Sequence, residues 1–493
     1  MSKFELFDFT PEIIESFREN HEIPVHFYNK DGQVLIHKKE EASDAEIDRL
    51  LRFVKQGIYY DVEDSEKLGI QEKNRNVPDG LTDTKLISEQ ITDELNDGAK
   101  ELFQNLKRTS ITSVQARKTS ERLADAFEAF ESQPDMGVGL VNILELMHGK
   151  DNTHDVELAV KRTVVAMAMK TRGAAATGAR DRARLQEAAN ITMMSALLCD
   201  VGYSRMTMPE HDGLSDQEMN YIRNHPIMSY LMIAHERSID PRVKRNILNH
   251  HRPMKAGTPG NNYPSLNSIT TRLTALKEKY SEDASRRHIA EDIDMQLKLL
   301  MRDIPYDEDA AILAVASEFA SLTSRVPWRE AFTARRAVQM LVNNSYFTYP
   351  DRIVREFLDY VSISLCNNEK ILREGDFIIV AARSGSGRTF FEVGQITNST
   401  RFQSKPGIDR FATIYPEIGK SPKYKFLKFP LNGLKADPRK AHYELSKDDS
   451  RHIVYAVDPT HDPDLYEELF KLTRTSRTPA GAGHAETGTG TTE

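Results

Sequence analysis

The spacing of apolar residues changes near residue 368, and this change restricts the fold more than any other feature of the sequence. Between residues 136 and 367 the apolar residues recur at helical spacing, as in "TVVAMAMK" from Thr163. After Glu369 the stretch "GDFIIVAARSGSGRTFFEVGQITN" contains two apolar runs around a glycine-rich turn, which predicts a β-hairpin at Gly385-Ser386-Gly387. The chain therefore combines a helical domain with a β-rich module, and the predicted fold class is mainly α.

The remaining sequence divides into shorter segments. In the first 69 residues, "IPVHFYNKDGQVLIHKK" predicts two strands joined at Lys30-Asp31-Gly32, and "SDAE" at Ser43 predicts a capping box that opens a helix. A length of 493 residues allows about two to four domains. We expect the following segments: a small α/β module (1–69), a helical connector (70–135), a helical domain (136–367), a β-rich module (368–475) and a disordered tail (476–493).

Composition excludes several classes of protein. The net charge of −8, with both signs mixed along the chain, argues against binding to a nucleic-acid polymer. Two cysteines make a disulfide framework implausible and indicate a reducing compartment. The N-terminus carries acids without a continuous apolar core, and the apolar helical runs are too short to span a bilayer. These features predict a cytoplasmic protein without a membrane segment.

Residues of metal-ligand type are concentrated in the helical domain. They are His154, Asp200, His225, His250 and His251. Imidazole and carboxylate groups are common ligands of Fe, Mn and Zn, and ligands spread along the sequence suit a site between helices of a bundle. Spacing alone does not distinguish such a site from surface or core histidines, because the chain contains 15 histidines.

The order of motifs between His154 and about Phe357 resembles the HD-GYP family of HD-type metal-dependent phosphohydrolases. The stretches that carry the resemblance are, in order, His154, "ALLCDVGY", "LSDQEMNYIRNHP", "HHRP", "NNYP" and "VASEFASLTSRVPWREA". The resemblance covers about 200 of the 493 residues. It implies an HD-type helical bundle with one or two divalent ions (Fe, Mn or Zn) and a cyclic dinucleotide or other phosphate ester as ligand.

The resemblance also assigns roles to single residues. It implies metal binding by His154, Cys199, Asp200, His225, His250 and His251, with Asp200 as the catalytic carboxylate. Cys199 stands where the family has histidine, so it is either a thiolate ligand or a packing residue. Tyr203 stands where the family has a lysine, and a phenol supplies no positive charge to a phosphate. We expect Tyr203, Lys255 and Arg272 to be the substrate-binding candidates, although a solvated surface charge is the alternative for the last two.

The last metal-binding carboxylate of the family has no clear counterpart. It falls on Ser317, with Glu318 adjacent, if Phe319 and the residues after it are kept in register. A second placement on "ITTRLTALKE" puts Glu278 there instead. The first placement is preferred, and it makes residues 268–305 an inserted helical pair over the site or on the surface.

Three functional hypotheses follow. The domain is a degenerate, regulatory metal or nucleotide binder, because a ligand, a phosphate-contacting cation and a carboxylate are all replaced. Alternatively, it is an active phosphodiesterase for cyclic di-GMP, or a metal-free helical scaffold. A protein partner or a homodimer through the helices before residue 135 is expected by analogy of fold.

Overall fold

The computed structural model of the chain is mainly helical and ends in an antiparallel sheet. It describes residues 4–475 except for 8–10, 30–33, 44–45, 48–57, 62–63, 65–66, 69–88, 132–152, 178–181, 208, 210, 212, 253–263, 302–306, 327–328, 363–369, 401 and 419–426. The predicted disordered tail lies outside the described residues.

The first module is a small sheet with one helix. Its elements are β1 (Phe4–Leu6), α1 (Pro11–Asn20), β2 (Phe27–Tyr28), β3 (Val34–Ile36) and β4 (Tyr59–Asp61). The strand order is β1-β4-β2-β3, and β2 pairs antiparallel with β3, as predicted. One half of the predicted capping box is present, because Ser43 N donates to a Glu46 carboxylate oxygen over 2.9 Å. Ser43 Oγ donates to the same oxygen over 2.9 Å, and the Glu46 N–H donates to the Ser43 carbonyl oxygen. Most of the helix that this box was predicted to open lies outside the described residues.

The middle of the chain is helical. Its elements are α2 (Glu89–Leu106), α3 (Ser113–Glu131), α4 (His154–Thr177), α5 (Arg182–Leu198), a 3₁₀ turn (Val201–Arg205), α6 (Asp216–Ile222), α7 (His225–Ile233), α8 (Pro241–Asn249), α9 (Leu266–Ser281), α10 (Arg287–Leu300), α11 (Glu308–Thr323), α12 (Ala334–Thr348) and α13 (Asp351–Glu356), which a π turn (Phe357–Val361) continues. The residues predicted to be an insertion thus form most of two neighbouring helices, α9 and α10.

Two helices form the centre of the helical core. From Ile191 to Leu198 every residue of α5 is buried, and α11 is buried without interruption from Ala310 to Ser317. A helix that is apolar on all sides has to be surrounded by other helices. Because α4, α8 and α11 all pack on α5, the residues that follow its C-terminal end lie between several helix ends.

The C-terminal module is a five-stranded antiparallel sheet in the order β10-β7-β6-β5-β11. Its elements are β5 (Phe377–Arg383), β6 (Thr389–Asn398), β7 (Gly407–Ile414), β8 (Glu417–Ile418), β9 (Leu427–Lys428), β10 (Leu434–Glu444), β11 (Arg451–Ala456) and α14 (Pro463–Thr475). Strands β5 and β6 pair antiparallel from Phe377↔Gln395 to Arg383↔Thr389, which confirms the predicted hairpin at Gly385-Ser386-Gly387.

Both faces of this sheet are covered. Ile378 and Val380 of β5 belong to the apolar cluster of the helical domain. Phe377 and Ile379, which point to the other face, share a second cluster with the first module and α14. The two end segments, which the sequence presents as separate modules, therefore pack against each other on one side of the sheet.

No helix in the described part of the chain is long and apolar enough to cross a bilayer.

Candidate metal centre

Four of the predicted ligands lie at ends of helices. Asp200 follows α5, His225 is the first residue of α7, and His250 and His251 follow α8. Local sequence fixes these ends. The Asp240 side chain accepts a hydrogen bond from the backbone N–H of Arg242 over 2.7 Å and starts α8, with proline next in sequence. This helix has only nine residues, and the two histidines of the site directly follow it.

The ligand atoms of Asp200, His225, His250 and His251 all lie within 4.8 Å of one another. His225 Nε2 lies 3.0 Å from Asp200 Oδ1, and His250 Nε2 lies 3.3 Å from the same oxygen. The two Nε2 atoms are 3.0 Å apart. The ring of His251 lies against that of His250, with 4.0 Å between ring centroids. The fold thus brings together residues up to 51 positions apart in the sequence.

The hydrogen bonds of His225 and His250 define which ring nitrogen carries the proton. His225 Nδ1 lies 2.8 Å from the carbonyl oxygen of Ile222, and His250 Nδ1 lies 2.7 Å from that of Ile247. A carbonyl can only accept, so both Nδ1 atoms are donors. In neutral rings the two Nε2 atoms then present lone pairs to each other and to the Asp200 carboxylate.

Facing lone pairs on these three atoms repel unless a proton or a metal cation lies among them. Ligand bonds of about 2.0–2.3 Å place neighbouring ligands of one ion roughly 3 Å apart, which is the separation of these atoms. A second hydrogen bond that holds the far nitrogen of each imidazole is also the usual arrangement around a metal. The residues therefore fit a divalent transition metal held by three imidazoles and one carboxylate.

The protonation states of Asp200, His250 and His251 suit metal binding. Burial disfavours the charged form of Asp200, but its partners, chiefly the adjacent Arg162 guanidinium, outweigh burial and hold the pKa of Asp200 well below its usual range. Burial lowers the pKa of His250, and burial together with the neighbouring histidines lowers that of His251 further. The carboxylate is therefore ionised and these two rings are neutral at physiological pH, as metal ligands have to be.

His154 and Cys199 do not join this group of close ligand atoms. His154 is the first residue of α4, and the α4 residue that contacts Asp200 is Arg162, about 12 Å further along the helix. Cys199 is fully buried beside the Ser317 hydroxyl. Burial raises the pKa of the Cys199 thiol, which favours its role as a packing residue over that of a thiolate ligand.

Two of the three predicted substrate-binding residues, Tyr203 and Arg272, belong to the described part of the chain. The Tyr203 ring lies over the His225 ring, with 4.3 Å between ring centroids, so it covers one side of the ligand group. Arg272 is exposed on α9. Lys255 lies outside the described residues, as do Asn262 and Tyr263 of the "NNYP" stretch.

The candidates for the last ligand position also differ in their surroundings. Ser317 is buried in α11 next to Cys199, whereas Glu278 is exposed on α9. Glu318 is directed to α12, where its carboxylate accepts a hydrogen bond from Asn344 Nδ2 over 3.1 Å and contacts the Tyr349 hydroxyl. Burial raises the pKa of Glu318 to about 7. None of the three belongs to the close ligand group.

Arg162 is a site residue that sequence reasoning missed. It is 1% exposed, and its Nη1 lies 2.5 Å from Asp200 Oδ2. The only signal in the sequence is a cation within the apolar register of α4, since Leu158 and Val165, one turn before and after it, are both buried. Such a cation requires a buried acidic partner, but the sequence does not identify which one.

Gly202 sets the distance between the Asp200 turn and α7. Its N–H donates to Ser229 Oγ over 2.8 Å, and a Cβ at this position would lie 2.7 Å from the His225 carbonyl oxygen. We expect Gly202→Ala to lower the free energy of unfolding by about 1–3 kcal/mol, because backbone atoms would have to move. We also expect weaker metal binding, since Asp200 and His225 would separate. Urea unfolding and titration with Mn²⁺ measure the two effects.

Gly385→Ala is the matched control for this substitution, because a Cβ at Gly385 meets no atom within 4 Å. Equal stability and equal Mn²⁺ affinity for the two variants would contradict the role assigned to Gly202.

Comparison with known proteins gives limited similarity. No protein-family model and no curated protein matches the chain. Among solved structures, the chain is similar to Bd1817, an HDG"Y"P protein from Bdellovibrio bacteriovorus, with 13% sequence identity and a TM-score of 0.37, over 74% of this chain and 98% of that one. This chain resembles the HD-GYP family with a degenerate His-Asp motif. The resemblance is shown by the order of motifs in this chain and by its buried group of one aspartate and three histidines.

Proposed function

We propose that this chain is an HD-GYP-like signalling protein whose helical domain binds a divalent metal and a cyclic dinucleotide or related phosphate ester. In this proposal the domain acts mainly as a regulator, with little or no hydrolysis. The observation that carries the proposal is the buried group of Asp200, His225, His250 and His251, whose ligand atoms are mutually close. We further propose that the protein acts in the cytoplasm through a protein partner or a second copy.

The residues that would hold the ion are those of this group. Fe, Mn and Zn all accept such ligands. A bound ion would supply a Lewis acid that attracts a phosphate oxygen of the ligand. The chain itself would contribute the orientation of the imidazoles through the Ile222 and Ile247 carbonyls, and Tyr203, which restricts access to one side of His225.

The surroundings of the site favour a regulator over an efficient enzyme. Among the described residues, Asp200 is the one carboxylate in the gathered group. Cys199, Ser317 and Tyr203 are neutral where the family has a histidine, a carboxylate and a lysine. Loss of one electrostatic contributor commonly lowers a rate by about 10²–10³, so the combined replacements are expected to leave weak turnover.

An active phosphodiesterase is the second candidate. The convergence of the four residues favours it, together with the low pKa of Asp200 and the lowered pKa of His250, because one well-held ion is enough to polarise a phosphoryl group. The two candidates share the metal and the ligand class and differ only in turnover.

The test combines three measurements on the purified full chain. Metal content is determined by elemental mass spectrometry after incubation with Mn²⁺, Fe²⁺ or Zn²⁺. Cyclic di-GMP binding is measured by calorimetry with and without metal, and hydrolysis by chromatography. We expect bound metal, metal-dependent nucleotide binding and slow or undetectable hydrolysis. His250→Ala is expected to lose metal and nucleotide binding, whereas His442→Gln, an exposed histidine on β10, is expected to keep both.

Rapid hydrolysis that His250→Ala abolishes would favour the phosphodiesterase. If the wild-type protein binds none of the three ions, both candidates are contradicted, and the metal-free helical scaffold is the remaining hypothesis.

A further inference from the structure

The two oxygens of the Asp200 carboxylate face different partners. Oδ1 lies 3.0 Å from His225 Nε2 and 3.3 Å from His250 Nε2, on the side where the ligand atoms converge. Oδ2 lies 2.5 Å from Arg162 Nη1. One oxygen is therefore directed to the metal-binding group, and the other is already neutralised by a protein cation.

The Arg162 guanidinium is held firmly in this place. Its Nε donates to the carbonyl oxygen of Ala196 over 2.7 Å, and the residue is 1% exposed. Its Nη2 is buried as well and has no hydrogen-bond partner among the described residues. Arginine keeps its charge in proteins, so a permanent positive charge lies next to Asp200 whether or not metal is bound.

A second divalent ion on this side of Asp200 would face the Arg162 guanidinium directly. It would have to compete with Nη1 for Oδ2, which is 2.5 Å from this cation. Among the described residues, Ser317, which is 2% exposed and lies beside Cys199, carries no charge that would offset the repulsion between the two cations.

We propose that Arg162 is a fixed internal cation that restricts this centre to a single metal ion. The inference rests on the metal site of the proposed function and specifies its stoichiometry. Arg162 acts on the centre through Asp200, so it is a positioning residue and not a ligand. Its positive charge neutralises the Oδ2 side of the Asp200 carboxylate and leaves Oδ1 available to the ion.

The test is a count of ions per chain. Wild-type protein incubated with excess Mn²⁺ or Fe²⁺ is expected to retain one ion. Arg162→Gln is expected to bind Mn²⁺ about tenfold more tightly, because a competing cation is removed. Arg162→Lys, which keeps the charge, is expected to bind it close to the wild-type affinity. Affinities come from calorimetry, and ions per chain from elemental mass spectrometry.

A matched pair of variants isolates the effect of the guanidinium. Ser317→Asp adds a carboxylate beside Cys199, the residue that precedes Asp200 and interacts with Arg162, and with Arg162 retained it is expected to hold one ion. The double variant Ser317→Asp/Arg162→Gln differs only in the cation and is expected to hold two. Two ions in wild-type protein or in Ser317→Asp alone would overturn the inference, even if the Arg162 variants fail to fold.

The inference and the proposed function fail in different ways. Two ions in wild-type protein contradict the inference and leave the proposed function standing. If neither the wild-type protein nor Arg162→Gln binds an ion, both the inference and the proposed function are overturned. A merely structural Arg162 would lower stability when replaced but leave the Mn²⁺ affinity unchanged, and that result also overturns the inference.

Discussion

Replacing Asp200 by asparagine is expected to remove metal binding and to lower the free energy of unfolding by about 3–5 kcal/mol. The carboxylate is the counter-charge of Arg162, which is 1% exposed. In the variant the guanidinium remains charged and buried without a neutralising partner. Chemical unfolding followed by circular dichroism measures the stability, and elemental mass spectrometry measures the metal.

The double variant Asp200→Asn/Arg162→Met separates these two effects. Removing both charges is expected to recover most of the lost stability, because a buried ion pair replaced by uncharged residues of similar size is often neutral. Metal binding is not expected to return, since the carboxylate is still absent. An Asp200→Asn protein as stable as wild type would show that Arg162 is not desolvated as the structure has it.

The second large effect is expected at the ion pair that attaches α10 to α8. Lys244 is 1% exposed, and its Nζ lies 2.7 Å from Asp292 Oδ1 and 3.1 Å from the Ala234 carbonyl oxygen. The Tyr230 hydroxyl donates to Asp292 Oδ2 over 2.8 Å. We expect Asp292→Ala to cost about 3–5 kcal/mol, because Lys244 would remain buried without its counter-charge. Since α8 also carries His250 at its end, metal affinity is expected to fall as well.

Asp294→Ala is the control on the same helix. Asp294 pairs with Lys277 and Lys298 at the surface, and such exposed pairs contribute about 0–1 kcal/mol. Urea unfolding and limited proteolysis of the α9–α10 pair compare the variants. Similar proteolysis rates for Asp292→Ala and Asp294→Ala would contradict the anchoring role of the buried pair.

The sequence predicts local features of this chain well. Helical spacing before residue 367 and strand patterns after 369 correspond to α4–α13 and β5–β11. The hairpin around Gly385 and the bonds of Ser43 to Glu46 follow from neighbouring residues alone. These features depend on periodicity and turn chemistry, which act over a few residues and are therefore visible in one sequence.

The ligand group was predictable in part. Residue type and the resemblance point to Asp200, His225, His250 and His251, and the structure brings their ligand atoms together. The assignment of His154 to the same group requires the first residue of α4 to face the site. Instead, the rotation and position of α4 against α5 bring Arg162 to Asp200. Which residue of α4 reaches the site depends on how the two whole helices pack.

Local patterns of residues define which segments are helices and strands, and which residues have the chemistry of metal ligands. The charge partner of Asp200, the burial of Lys244 with Asp292, and the shared core of the first and last modules arise only when the chain folds. The two groups of features differ because the interactions behind them act over different ranges. Propensity and capping are properties of neighbouring residues, whereas a buried charge acquires its partner from a helix up to 48 residues away, once the apolar faces have packed.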